Sequence, residues 1–373
     1  MGSFVINLPF NFYQRVANSL NDETGFDEQL PEASEELYEQ QVFRIDPGQE
    51  LMRIDKFLVG RVEYATRNKV QKAIAAGRIL VNGKTTKSNY NIRPADEIII
   101  YSHRERAGEQ VIPEPIPLPI VYEDDQVMVI NKPAGLVVHP GSGNPGGTLL
   151  NGVAWYLQHK DSSINEETLP RFGMVHRIDK NTSGLILIAK TDSAVTSLAR
   201  QFFNHTVYRR YIALVWGDME ADEGTVVAHI GRHRRFRKLF DAYPEGDYGK
   251  EAITHYKVLE RMHYVTLVEC RLETGRTHQI RVHMQHIGHP LFNDDFYGGD
   301  KIVKGTVYTK YKQFVDNCFA ICPRHALHAV NIGFKHPGTG EDMFFQSDIA
   351  PDMSAVIDKW RNYALSLKRN AVD

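Results

Sequence analysis

The stretch Gly173-Met174-Val175-His176-Arg177-Ile178-Asp179-Lys180-Asn181-Thr182-Ser183-Gly184, followed by the apolar segment 185–189, decides the fold of the C-terminal part of the chain. Asp and Asn favour tight turns through side-chain hydrogen bonds to the backbone, and Gly does so by reaching positive φ. We therefore expect a buried strand-like run that ends near Asp179, a tight turn from Asp179 to Gly184, and a second buried strand after it.

Asp179 has two interpretations when this stretch is considered alone. In the first, it accepts a hydrogen bond within an Asx-turn, which is the usual role of an Asp at such a position. In the second, it is a functional carboxylate that a rigid strand holds at a surface cleft. The remaining motifs must decide between the two.

The composition is that of an ordinary soluble protein. The chain has 373 residues, of which 42% are hydrophobic and 24% charged, enough for one large domain and one or two small ones. No apolar run approaches the roughly 20 residues of a membrane-spanning helix, and the N-terminus lacks a signal-peptide pattern, so we expect a cytoplasmic protein. The sparse Cys270, Cys318 and Cys322 are typical of reduced, structural thiols.

The formal net charge of −2 hides an uneven distribution. Residues 1–50 contain ten acidic and two basic side chains, whereas residues 52–93 contain ten basic and two acidic ones. A compact block of net charge +8 favours a polyanionic partner, because each phosphate contact releases counterions. A solvated basic face without a partner is the weaker alternative.

Residues 41–101 predict a small α/β unit. The apolar positions Ile54, Phe57 and Leu58 have helical spacing, and Thr66 is placed to cap a second helix. A strand at 79–81 is followed by Asn82-Gly83, the strongest short hairpin signal. The basic residues that we expect to contact nucleic acid in this unit are Arg67, Lys69, Lys72, Arg78 and Lys84.

The composition also suggests the domain boundaries. Residues 1–40 are expected to form an acidic, loosely ordered leader, and residues 41–101 the basic unit. Residues 102–119 contain four evenly spaced prolines, which is typical of an extended linker. A large domain then spans residues 120–373.

Two segments of the large domain suggest contacts with RNA. Residues 208–216 predict a strand in which Arg209 and Tyr211 share a face, and such a Tyr is either a core aromatic or a stacking platform with a polar handle. Residues 231–238 form a basic loop with one aromatic residue, a pattern that suits a finger gripping an RNA backbone. Its RNA-binding candidates are Arg232, Arg234, Arg235 and Arg237.

Residues 273–290 form a third dense cluster and predict a short helix. Thr277 can cap this helix, and His278 and Arg281, three residues apart, share a face near its N-terminus. The histidines invite a metal hypothesis, but no carboxylate or thiol at suitable spacing completes a set with His283 and His286. We therefore expect no metal site.

Together these motifs resemble a known family. The run His176-Arg177-Ile178-Asp179-x-x-Thr182-Ser183-Gly184-Leu185, the strand containing Tyr211, and Gly275-Arg276-Thr277-His278-Gln279-Ile280-Arg281-Val282-His283 are similar to the motifs of RluA-type RNA pseudouridine synthases. Residues 51–101 resemble the S4 RNA-binding domain. The resemblance implies an α+β fold: a catalytic domain with a mostly antiparallel mixed sheet, preceded by a small α/β S4 domain of the αL type.

The resemblance also implies an activity. It is closest to the members that modify large-subunit ribosomal RNA, so the expected reaction isomerises specific uridines to pseudouridine without a cofactor. By this analogy Asp179 is the essential carboxylate, Tyr211 stacks on the uracil, and Arg281 is the cation that keeps Asp179 ionised, with Arg276 as a second candidate. Arg177 would fill the space left by the extruded base.

The resemblance further implies the partners. His176, Arg177 and Arg276 join the RNA-binding candidates, and the expected partner is structured RNA, either large-subunit ribosomal RNA or its precursor particle. We expect no membrane association and a monomer. The competing hypothesis is a non-catalytic RNA-binding ribosome-assembly factor on the same scaffold. It would be favoured if Asp179, Tyr211 or Arg281 were missing, and all three are present.

Overall fold

The structure is a computed structural model that describes residues 37–46, 48, 51–62, 67–75, 77–103, 111–141, 143–236, 238–244, 248–306 and 308–370. The leader up to residue 36, the expected cap Thr66, residues 104–110 of the expected linker and Arg237 lie outside the described residues, as do the side chains of Lys69 and Lys72. The chain forms two compact units, one within residues 26–110 and one that includes residues 111–373.

The small unit contains two helices and a four-stranded sheet. The helices are α1 (Ile54–Val59) and α2 (Arg67–Ala75), and the strands are β1 (Leu37–Arg44), β2 (Ile79–Val81), β3 (Lys84–Thr85) and β4 (Glu97–His103). The strand order is β1-β4-β2-β3, with antiparallel pairs throughout. Asn82 and Gly83 both have positive φ, at 52° and 74°, as the predicted tight hairpin requires.

A buried carboxylate organises the helices of the small unit. Asp55 is fully buried and accepts hydrogen bonds from Arg53 at 2.8 Å, Gln71 at 2.9 Å and Arg67 at 3.0 Å. The hydrogen bond from Arg53 is the main reason that the pKa of Asp55 lies well below its usual range. Arg67 therefore anchors α2 to α1, although 61% of its side chain remains exposed.

The large unit is built on one ten-stranded sheet. Its elements are β5 (Ile120–Glu123), β6 (Val127–Lys132), α3 (Leu149–Lys160), a 3-10 turn (Pro170–Gly173), β7 (Ser183–Ala189), α4 (Asp192–Phe203), β8 (Tyr208–Trp216), β9 (Glu223–Arg232), β10 (Phe240–Tyr243), β11 (Lys250–Arg261), β12 (Val265–Leu272), α5 (Gln279–His286), α6 (Thr309–Ile321), β13 (Leu327–Lys335), β14 (Asp342–Gln346) and α7 (Pro351–Asn370).

The sheet is mixed but mostly antiparallel. Its strand order is β10-β9-β11-β12-β8-β13-β7-β6-β5, and β14 pairs with β13 off this path. Every named pair is antiparallel except β13 with β7, which run parallel. The expected α+β class with a mostly antiparallel mixed sheet is confirmed.

Strand β8 lies in the middle of the sheet and separates two cores. Tyr211, Ala213 and Val215 point to a core that also contains residues of α3 and α5. Ile212, Leu214 and Trp216 point to the opposite core, which α6 and α7 cover. Because side chains alternate along a strand, the register of β8 places Tyr211 on the face that carries α5.

The segment before Asp179 is not the strand that we expected. Met174 makes one isolated bridge with Ile188, and residues 175–179 have no regular structure. The ring of His176 accepts the backbone N–H of Leu187 through Nε2 at 2.8 Å. A side chain thus takes the place of a strand carbonyl, and the backbone is free to turn away from β7.

The expected turn is present after Asp179. The backbone N–H of Thr182 donates to the carbonyl of Asp179 at 3.1 Å, which closes the turn. Gly184 has φ of 113°, and a Cβ atom there would collide with the backbone carbonyl of Ala329. Glycine is therefore needed where the turn enters β7 beside β13.

The other expectations from the sequence concern thiols and membranes. Cys270, Cys318 and Cys322 are free and buried, and burial raises the pKa of the Cys318 thiol to about 11. These are structural thiols. Within the part of the chain that the structure describes, no helix is long and apolar enough to cross a membrane.

Candidate active site

One cavity of about 470 Å³ brings together the three candidate catalytic residues. Asp179 comes from the turn before β7, Tyr211 from β8 and Arg281 from α5, and all three line the cavity. Arg177, His176 and Arg276 line it as well. The described basic residues of the loop, Arg232, Arg234, Arg235 and Lys238, are not among its lining residues.

The side chain of Asp179 is aimed into the cavity. The turn is closed by its backbone carbonyl, whereas its carboxylate faces Arg281, whose Nη1 lies 3.4 Å from Oδ2. Burial acts to raise the pKa of Asp179, but His278, Arg281 and Arg177, in this order of effect, outweigh it and hold that pKa below its usual value. The carboxylate is therefore ionised and free of the turn, so the Asx-turn interpretation does not describe it.

A second carboxylate, which was not predicted from the sequence, holds Arg281 in place. Asp294 is fully buried and accepts from Arg281 Nε at 2.7 Å and Nη2 at 2.8 Å. Its Oδ1 atom also accepts the backbone N–H groups of Phe296 and Tyr297 at 3.1 and 3.2 Å. This bidentate pair leaves Nη1 of Arg281 to face Asp179. The available sequence signal was the acidic pair Asp294-Asp295, which aromatic residues flank at 292 and 296–297.

We expected Thr277 to cap the N-terminus of α5, but Thr277 does not occupy the cap position. The N-cap residue is His278, which has φ of 57° and makes no side-chain capping bond. Gln279 satisfies the local groups instead: its Oε1 accepts from the N–H of Arg276 at 2.9 Å and from Thr274 Oγ1 at 2.8 Å. The Gln279 side chain therefore fixes the turn that precedes α5, and no side chain caps the helix itself.

The ring of His278 is neutral and fixed. Its Nδ1 atom lies 2.8 Å from the hydroxyl of Tyr297, which accepts the N–H of Phe240 at 3.2 Å. Burial lowers the pKa of His278 to about 4, although Asp179 acts to raise it. At neutral pH the positive charge beside Asp179 therefore comes mainly from arginine.

Tyr211 forms an apolar wall of the cavity. It is 7% exposed, and burial raises its pKa above the usual value, although Arg209 acts to lower it. Its phenol is therefore protonated at neutral pH. The neighbouring Arg209 is buried and donates from Nη2 to the carbonyl of Glu273 at 3.1 Å.

His176 and Arg177 occupy different environments in the same motif. The His176 ring stacks on Phe202 with centroids 4.6 Å apart, and burial lowers the pKa of His176 to about 3. Its Nε2 atom is already used by the backbone of Leu187. Arg177, in contrast, is exposed at the mouth of the cavity.

Two buried cations, which were also not predicted from the sequence, clamp the turn. Lys132 is fully buried and donates to the carbonyls of Pro133 at 2.8 Å and of Leu136 and Lys180 at 2.9 Å. Burial lowers the pKa of Lys132 to about 7. A cation at the end of an apolar strand, directly before a proline, was the available signal.

The second cation is Arg324. Its Nε donates to Asp352 at 2.7 Å, and its Nη1 donates to the carbonyl of Asn181 at 3.0 Å. Its Nη2 donates to Ser183 Oγ at 3.1 Å. Lys132 and Arg324 thus hold the two residues that follow Asp179 and aim the carboxylate.

Those remaining RNA-binding candidates whose side chains the structure describes do not line the cavity. Arg232 ends β9, and Arg234 and Arg235 follow it; all three are exposed. Arg232 lies over the Phe240 ring at 5.4 Å. In the small unit Lys84 is exposed and Arg78 half-buried.

His283, one of the two histidines considered as metal ligands, has a hydrogen-bond partner within the protein. The Nδ1 atom of the buried His283 lies 2.9 Å from Thr254 Oγ1, and burial lowers the pKa of His283 to about 4. Among the described residues, no three His, Cys, Asp or Glu side chains are grouped so that they could hold a metal ion.

Comparisons with known proteins agree with both units. The profile of the RNA pseudouridylate synthase family matches residues 126–286, and that of the S4 domain matches residues 52–98. The chain is 47% identical over 311 residues to an uncharacterized RNA pseudouridine synthase of Chlorobaculum parvum, covering 83% of this chain and 94% of the relative.

Other relatives carry related names. The chain is 43% identical to the uncharacterized RNA pseudouridine synthase YlyB of Bacillus subtilis, covering 83% of this chain and 94% of that one. It is 40% identical to the ribosomal large subunit pseudouridine synthase D of Vibrio parahaemolyticus, covering 83% and 91%. Among solved structures, human RNA pseudouridylate synthase domain containing 1 matches 65% of this chain and 89% of that chain, with 25% identity and a TM-score of 0.47.

Proposed function

The chain belongs to the family of RNA pseudouridine synthases, and on that premise we propose that it converts specific uridines of large-subunit ribosomal RNA to pseudouridine. The names of several relatives support this substrate class. The S4 domain at residues 52–98 supports an RNA partner, since its exposed cations would add phosphate contacts.

The observation that carries the proposal is the ionised Asp179 between Arg281 and Tyr211 in one cavity. A cavity of about 470 Å³ is within the range that holds small ligands, and a nucleobase is such a ligand. A fixed guanidinium beside a partly buried carboxylate keeps it charged, as a nucleophile requires.

The reaction breaks the N1–C1′ glycosidic bond and forms a C5–C1′ bond after the uracil has rotated. The C5 proton is then lost, and N1 gains a proton, so the product is an isomer of the substrate. Asp179 is the group that attacks either the base or C1′ of the ribose. Tyr211 stacks on the uracil. Its phenol is neutral, so Tyr211 would take up the C5 proton only as its own hydroxyl proton passes to another acceptor in the site, such as N1 of the uracil through a water molecule.

The RNA must present its uridine outside the helix stack. A base in folded RNA is reached by extrusion, and Arg177, exposed at the mouth of the cavity, has the planar cation that fits the vacated space. Arg276 and the basic loop 231–238 contact the backbone nearby. His176, whose Nε2 is used by Leu187, contributes by shaping the wall.

The substitution Asp179→Asn tests this function. The variant should bind large-subunit ribosomal RNA with nearly unchanged affinity and form no pseudouridine, as mapped in RNA from cells that carry only the variant. Arg261→Lys, at an exposed ion pair distant from the cavity lining, is the matched control and should modify normally. Pseudouridine formed by Asp179→Asn at the wild-type rate would refute the mechanism.

A further inference from the structure

Phe203 is a large aromatic side chain that the packing of the protein leaves uncovered. It is the last residue of α4 and is 81% exposed. Its neighbour Phe202 faces the other way, where it stacks on His176 at 4.6 Å and lies under Arg209 at 5.6 Å. Phe202 therefore packs this end of α4 against the rest of the unit, whereas the Phe203 ring remains largely exposed to solvent.

The position of Phe203 relates it to the candidate active site. Phe203, Asp179 and Tyr211 all line the same cavity. The lining includes four arginines, Arg177, Arg209, Arg276 and Arg281, against one carboxylate, Asp179. Of these arginines, Arg209 and Arg281 are buried, whereas Arg177 is exposed and Arg276 half-buried. The positive charge of Arg177 and Arg276 suits a polyanionic chain, and an exposed aromatic ring in the same lining suits the bases of that chain.

Hydrogen bonds define the backbone conformation directly after Phe203. The helix ends with the N–H of Thr206 donating to the carbonyl of Gln201 at 3.0 Å and the N–H of His205 donating to that of Phe202 at 3.3 Å. This ending places residue 205 in the left-handed region, where glycine is the usual choice. The residue is His205, with φ of 58°, and it also lines the cavity.

A non-glycine residue in this conformation costs free energy that glycine would avoid, and such sites cluster where a side chain has a function. His205 is exposed, so its side chain is not retained for packing. Phe203 and His205 thus present two exposed rings from the hydrogen-bonded end of one helix.

We propose that Phe203, with His205 beside it, is a stacking subsite for the base of a nucleotide adjacent to the uridine that enters the cavity. This inference rests on the proposed function, because it needs an RNA whose uridine is extruded. Extrusion removes the stacking partner of the adjacent base. An exposed ring at the mouth replaces that partner and helps to select the extended conformation of the RNA.

The subsite is tested by pairing protein variants with abasic RNAs. The probe is the shortest stem-loop of large-subunit ribosomal RNA in which the full-length wild-type protein forms pseudouridine, together with two versions that lack the base 5′ or 3′ of that uridine. Phe203→Ala should weaken binding of the intact probe about tenfold, or about 1.4 kcal/mol, which is within the range for one stacked base.

The wild-type protein should bind one of the two abasic probes about tenfold more weakly than it binds the intact probe. Phe203→Ala should bind that abasic probe as tightly as the wild-type protein does. Phe203→Trp should restore affinity on the intact probe. Tyr308→Ala is the matched control: Tyr308 is 77% exposed and does not line the cavity, so its removal should leave all affinities unchanged.

Two outcomes would overturn the inference. The first is that Phe203→Ala binds the intact probe as tightly as wild type does. The second is that Phe203→Ala weakens binding of all three probes by the same factor, which would mean that the ring contacts neither adjacent base. A failure of the proposed function is distinguishable, because then no stem-loop acquires pseudouridine. In that event, the affinities of the wild-type protein and Phe203→Ala are compared on the ribosomal stem-loop that binds most tightly. Each loop base is removed in turn, and the comparison still decides whether Phe203 stacks on a base.

Discussion

Nη1 of Arg281 lies 3.4 Å from Oδ2 of Asp179, while the other side of the same guanidinium is bound to Asp294 at 2.7 and 2.8 Å. The closer pair is fully buried and the longer one faces the cavity. Asp294 therefore fixes Arg281 in position, and Arg281 presents its remaining nitrogen to the carboxylate that is proposed to react. Asp294, Arg281 and Asp179 thus interact in a row: the buried Asp294 fixes the guanidinium, and Asp179 faces the cavity.

Replacing Arg281 should reveal this two-sided role. In Arg281→Lys a single ammonium cannot hold both carboxylates as a planar fork does, so we expect kcat to fall about a hundredfold, a typical effect of removing a preorganised electrostatic interaction. The pKa of Asp179 should rise, because burial acts to raise it and Arg281 opposes this.

The pH profile checks the prediction for Arg281→Lys. The wild-type carboxylate has a pKa below its usual value, so activity that needs the ionised form persists down to that pH and is lost below it. The variant should lose activity at a higher pH. Arg276→Lys, in the same cavity, is the control and should keep the wild-type acid limb. An unshifted limb in Arg281→Lys would contradict the assigned role.

Removing the charge of Asp294 should destabilise the protein. Asp294→Asn has nearly the same shape but leaves the buried guanidinium of Arg281 without its main partner, which costs about 3 kcal/mol of unfolding free energy. Denaturant titration of the variant and the wild type measures this difference in unfolding free energy. Asp342→Asn breaks an exposed pair with Lys335 and should cost less than about 0.5 kcal/mol. Equal stabilities of the two variants would refute the importance of the buried pair.

The strained helix end at His205 makes a prediction about stability. His205→Gly relieves a left-handed non-glycine conformation and should stabilise the protein by about 1 kcal/mol, measured by denaturant titration. Asn204→Gly, one residue earlier and with φ of −81°, has no such strain and should be neutral or destabilising. If both variants lose stability, the conformation of His205 carries no cost.

The exposed lysines of the small unit should affect the salt dependence of binding. Lys84 and Lys87 are both exposed. Replacing both with Ala should reduce the slope of log Kobs against log salt by about 0.8 for each phosphate that either lysine neutralises in the wild-type complex. Filter binding of ribosomal RNA at several salt concentrations measures the slope.

The control for this experiment lies in the large unit. Lys310 and Lys312 are exposed on α6 and do not line the cavity, so their replacement with Ala should leave the slope unchanged. An equal effect of the two double variants would mean that binding responds to net charge and not to the small unit.

Local patterns predicted much of the architecture. The i, i+3, i+4 spacing at 54–58 and the Asn82-Gly83 turn predicted α1 and the hairpin of the small unit, and both are present. Thr148 caps α3 from the position directly before an apolar run. Such features depend on neighbouring residues in the chain, so periodicity and turn chemistry are sufficient to predict them.

The sequence by itself determined the motif around Asp179, its closing turn and the family to which the motif belongs. Only the tertiary structure decided that His176 replaces a strand contact, that Gln279 fixes the turn before α5, and that Asp294 holds Arg281. It also decided that Lys132 and Arg324 clamp the turn. The physical reason is that a buried charge needs partners, and folding brings those partners from other segments of the chain. Local periodicity in the sequence does not reveal which segments will meet.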